Sequence, residues 1–72
     1  MNKQMLMRSM SSAVNGAAFM NVSQIADWTG RSRDFVRNYI TRDLECMAGK
    51  GQAKMFLIDD IATRIMAISE VS

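Results

Sequence analysis

The stretch Ser23 to Arg42, SQIADWTGRSRDFVRNYITR, decides how the rest of the chain is read. Ser23 is a good N-cap, because its hydroxyl accepts a hydrogen bond from a free amide of a first helical turn. A helix over Gln24 to Thr29 turns Ile25, Ala26 and Trp28 toward the interior or its margin. Gly30 ends it, since glycine takes up the left-handed conformation of a helix C-terminus without steric cost. Ser32 offers another N-cap two residues later, so the turn into a second helix, Arg33 to about Asp43, is very short.

At about 100° per residue, Phe35, Tyr39, Val36 and Ile40 fall within one arc of roughly 140° on this second helix. Asp34, Arg37, Asn38 and Thr41 lie opposite, with Arg33 and Arg42 on the flanks. One side is therefore apolar and the other rich in hydrogen-bonding groups.

Charge is concentrated in the same region. The net charge is only +2, but Arg31 to Lys54 holds six bases and three acids, while the remainder holds three bases and four acids. A central +3 against −1 elsewhere is the footprint expected of a surface for phosphate. Catalysis finds little to work with. There is no histidine and one cysteine, which removes His-based acid–base and triad chemistry and leaves almost no zinc ligands. No catalytic residue, metal or cofactor is expected. A single thiol also precludes an internal disulfide and fits a reducing cytoplasm.

Along the chain, residues 1–18 are rich in Met, Ser, Ala and Asn, and Gly16 interrupts them. Their polar residues break any apolar run, so a signal peptide or membrane span is not expected. They read as a flexible N-terminal arm, at most helical for a turn around Gln4 to Met10. One domain, residues 19–72, follows. Phe19, Met20 and Val22 anchor its start. Beyond Leu44, Cys46-Met47 and Lys54 to Ile58 flank a Gly49-Lys50-Gly51 tip, the pattern of a β-hairpin. Asp59 or Asp60 then caps a last helix to about Ile68, with Ile61, Ala62, Ile65, Met66 and Ile68 as its buried stripe. Trp28 and Tyr39 read as core or core-edge residues, Phe56 as core, Cys46 as a small buried apolar residue, and the adjacent aspartates as caps rather than metal ligands.

Ala26, Gly30 and Ser32, followed by Val36 and Tyr39, have the spacing of a helix-turn-helix: a small residue where the helices cross, a glycine in the turn, a capped second helix. Thr29-Gly30-Arg31-Ser32 with Val36-Arg37-Asn38-Tyr39-Ile40 resembles the winged helix-turn-helix of the MerR and phage excisionase group. Met55 to Ile61 is similar to that group's second wing strand and following helix. Gly49-Lys50-Gly51 with Phe56 and Asp59 also resembles the wing of phage terminase small-subunit DNA-binding domains. Arg31 departs from the pattern, since many members carry an apolar residue there.

The resemblance implies a mainly α fold with a small β-hairpin wing, and sequence-specific binding of double-stranded DNA without catalysis. A phage or mobile-element excisionase, or a small transcriptional regulator, is the expectation. Its partners would be an integrase or further copies on adjacent DNA sites. A terminase recognition module, or a protein-interaction module such as an antirepressor working through the apolar arm, are the alternatives. In the leading reading Arg37 holds a phosphate, and Arg33 and Asn38 reach base edges. Ser32 presents a helix N-terminus to phosphate, and Arg31 either leaves the small core looser or adds a further phosphate contact. Thr41 and Arg42 favour the backbone, and Lys50, Gln52 and Lys54 follow the neighbouring minor groove or its phosphates.

Overall fold

A computed structural model of the chain describes residues 2–47 and 54–71. It is mostly helical, with one small antiparallel sheet. Helix α1 is Lys3–Ala13, strand β1 Phe19–Asn21, helix α2 Val22–Thr29 and helix α3 Arg33–Phe35. A π-helical turn, Val36–Ile40, continues α3; strands β2 (Cys46–Met47) and β3 (Met55–Leu57) and helix α4 (Ile58–Val71) complete the chain.

Residues expected to fray instead form α1. Asn2 caps it, accepting from the Met5 amide at 2.8 Å, and Leu6 and Met10, one turn apart, are buried in the common core. The correction has a physical cause. An isolated helix of 11 residues is too short to be stable in water, so α1 depends on packing Leu6, Met7 and Met10 into the core that it shares with α4. Lys3 also meets Asp59 at 2.7 Å, and the Trp28 indole N–H donates to Ser9 Oγ at 3.2 Å.

The sheet has β3 at its centre, in the order β1-β3-β2. Cys46 and Met47 pair antiparallel with Phe56 and Met55, as the two arms of a hairpin would. The Gly49-Lys50-Gly51 tip lies outside the described residues. Strand β1 is an addition to the expectation: Met20 pairs with Phe56, and both are buried. Three residues carry no legible alternation of their own, and they become a strand because β3 supplies the hydrogen-bonding edge.

Helix α2 starts earlier than expected. Asn21, not Ser23, caps it, in a reciprocal capping box: Asn21 Oδ1 accepts from the Gln24 amide at 2.8 Å and Gln24 Oε1 from the Asn21 amide at 3.0 Å. Gly30 ends the helix at φ 72°, ψ 19°, its amide donating to the Ala26 carbonyl at 2.9 Å. Ser32 Oγ accepts from the Phe35 amide at 3.1 Å and starts α3 as the sequence indicates.

The second helix departs from the projected one. It does not run to Asp43, because its second half is π-helical and closes at Thr41, whose amide donates to the Val36 carbonyl at 2.9 Å. A π turn places residue i+5, rather than i+4, over residue i. Val36, Ile40 and Thr41 therefore share the buried side, and Tyr39 rolls out to 59% exposure, stacked beside Phe35 at 5.0 Å between centroids. Helix α4 begins at Ile58, so Asp59 and Asp60 sit inside its first turn, where their charge suits the helix dipole. It buries Ile58, Ile61 and Ala62, with Ile65, Met66 and Ile68 at the core margin.

Candidate nucleic-acid interface

Three local structures bring the basic residues together. The Asn21 capping box fixes the start of α2 beside the end of β1. The Gly30 turn reverses the chain so that α3 returns toward that start. There the Arg33 guanidinium donates from Nη2 to Ser23 Oγ at 3.1 Å, tying α3 to α2. One turn later Arg37 lies 3.2 Å from Asp34 through Nη1, an exposed pair on the same segment. Lys54, just ahead of β3, faces them from the sheet side.

The result is a pair of adjoining clefts. One, of about 330 Å³, is lined by Asn21, Val22, Ser23, Arg33, Arg37 and Lys54. The other, of about 430 Å³, lies between the π turn and the β2–β3 pair and includes Arg37, Arg42, Cys46, Lys54 and the buried Thr41 and Phe56. Val22, Arg37 and Lys54 line both. Four cations thus border one continuous concave surface, and no carboxylate lines it among the described residues. A concave surface lined by one sign of charge focuses its field and concentrates a polyanion.

Arg33, Arg37, Arg42 and Lys54 are therefore brought together. Asn38 is exposed on the same segment. Ser32 is exposed too, but its hydroxyl is occupied as the cap of α3. Arg31 is not part of the group. Its guanidinium lies over the Phe35 ring at 5.1 Å and borders a different cleft, of about 300 Å³, with Trp28, Ile65 and Ile68. Thr41 must be withdrawn as a backbone-contacting residue: it is 7% exposed and its hydroxyl donates to the Val36 carbonyl at 3.4 Å. Lys50 and Gln52 lie outside the described residues.

Other residues had gone unassigned. Asn21 and Ser23 border the basic clefts, and the Asn21-x-x-Gln24 spacing is a capping-box signature that marks the true start of α2. Cys46, expected to be buried, is exposed at the sheet edge and borders the second cleft. Its strand is an outer one, and only β3 flanks it among the described residues. Tyr39, likewise expected in the core, is exposed because of the π turn. Among the described residues no group of three or more Cys, Asp or Glu is placed to hold a metal ion, and no helix is long and apolar enough to cross a membrane.

No family model matches the chain. Nor does any curated protein or any solved structure.

Proposed function

We propose that this protein binds double-stranded DNA without catalysis, as a small winged helix-turn-helix. In this reading α2 is the supporting helix, and α3 with its π turn enters the major groove. The β2–β3 pair is the wing. Arg37, Arg42 and Lys54 grip phosphates; Arg33, expected at a base edge, is turned onto Ser23 instead, where it braces the entry of α3 and grips a further phosphate. Asn38 faces the base edges.

The single observation that carries the proposal is the concave surface bordered by Arg33, Arg37, Arg42 and Lys54, whose described lining holds no carboxylate. Three of these cations share one segment, and the fold brings Lys54 to them from the sheet side. The resemblance to phage excisionases suggests the biological role: copies bound side by side on DNA, bending it and steering an integrase, with a small transcriptional regulator presenting nearly the same residues. The reading in which an apolar N-terminal arm captures a protein partner is weakened, because Leu6 and Met10 are spent in the core.

The test is a gel-shift titration of the full chain with mixed-sequence duplex at two salt concentrations. Binding that falls steeply with salt is expected. Negligible affinity even at low salt refutes the proposal.

A further inference from the structure

Asp34 is the one acidic residue between Arg33 and Thr41, and its carboxylate side chain is 87% exposed. It lies 3.2 Å from the Arg37 guanidinium, the one that lines both basic clefts. In a surface built to attract phosphate, that position is costly, because the carboxylate weakens the attraction for every duplex alike. In the first turn of α3 its charge also suits the helix dipole, but the turn is already capped by Ser32.

What the carboxylate does offer is an acceptor. Arg33 is turned sideways onto Ser23 and Arg37 onto Asp34 itself, so both guanidinium groups are held along the surface. Asp34 and Asn38, four residues apart, remain as the outward polar pair. A carboxylate only accepts hydrogen bonds, and its best match in the major groove is the N4 amino group of cytosine, since the N6 amino group of adenine stands beside the N7 acceptor. The O6 of guanine and the O4 of thymine are acceptors and repel it. Attraction at one base, combined with repulsion elsewhere, is how an interface gains selectivity rather than raw affinity.

We propose that Asp34 is a specificity-determining residue, accepting from a cytosine amino group in the target site and disfavouring duplex that lacks one there. This rests on the DNA-binding reading above.

The experiment selects duplexes from a random pool with the full wild-type chain. It then measures the affinities of the wild type, Asp34→Asn and Asp34→Glu for the selected duplex and for a scrambled one, with melting curves for each protein. The selected duplexes should share a cytosine at one position. Asp34→Asn should bind scrambled duplex several-fold more tightly and the selected duplex no better, lowering discrimination by about tenfold. Asp34→Glu, which keeps the charge but displaces it, should lose discrimination without gaining affinity for scrambled DNA. Equal gains by Asp34→Asn on both duplexes, or unchanged discrimination in both variants, overturn the proposal and leave DNA binding intact. A wild type that binds neither duplex at low salt overturns the DNA reading itself, and this inference with it.

Discussion

Replacing Arg37 with alanine removes the one guanidinium that borders both basic clefts. If Arg33, Arg37, Arg42 and Lys54 each neutralise one phosphate, about four counterions leave the duplex on binding, and log K falls against log salt with a slope of about −3.6. Between 50 and 200 mM salt that slope corresponds to a loss of about 150-fold in affinity. Arg37→Ala should reduce the slope to about −2.7 and the loss to about 40-fold, while weakening binding to all sequences at any one salt concentration. Fluorescence anisotropy with a labelled duplex at four or five salt concentrations measures both. Arg31→Ala is the internal control: its side chain lies over Phe35, in another cleft, and should leave the slope nearly unchanged. An Arg37→Ala slope equal to that of the wild type, or an Arg31→Ala slope reduced by as much, would refute this placement of the charges.

Asn38→Ala should relax the preference at particular base pairs and keep the wild-type salt slope, as selection from a random pool would reveal; uniform weakening on every sequence would count against a base-reading role. Gly30→Ala should destabilise the fold by about 1–2 kcal/mol in urea titration, the cost of a left-handed conformation for a side chain, because nothing lies within 4 Å of the added methyl to clash with it. Met10→Ala should cost about 2–5 kcal/mol and lower the melting temperature by at least about 10 °C, since the side chain is fully buried between α1 and the core. A melting curve matching that of the wild type would mean that α1 is dispensable.

Local chemistry made parts of this molecule legible from sequence. Gly30 and Ser32 announce the turn because only certain residues satisfy a left-handed φ and an uncapped amide, and both do so here. The alternation of Ile61, Ala62 and Ile65 marks α4 for the same kind of reason, as a stripe with helical period. What stayed hidden depends on partners distant in sequence. Helix α1 needs α4 to bury Leu6 and Met10, and β1 needs the edge of β3. The candidate site shows the same division. Arg33, Arg37, Arg42 and Lys54 were recognisable by type, but Arg31 and Thr41 looked equally suitable. A preference for the Phe35 face removes the first, and one wide helical turn carries the second inward.

In two places the chain passes from strand to helix with no residue between. Asn21 closes β1 and caps α2, and Leu57 is followed directly by Ile58, whose amide donates to the Ala18 carbonyl at 2.8 Å. Neither junction has a linker residue. Tilting the sheet against α2 or α4 strains the capping box or the Ile58 hydrogen bond, which resists a change in the backbone placement of Lys54 relative to Arg33 and Arg37. Such a surface approaches its target already shaped. If the partner is the proposed duplex, the geometric accommodation falls on the DNA, and a groove that does not fit must bend to the protein.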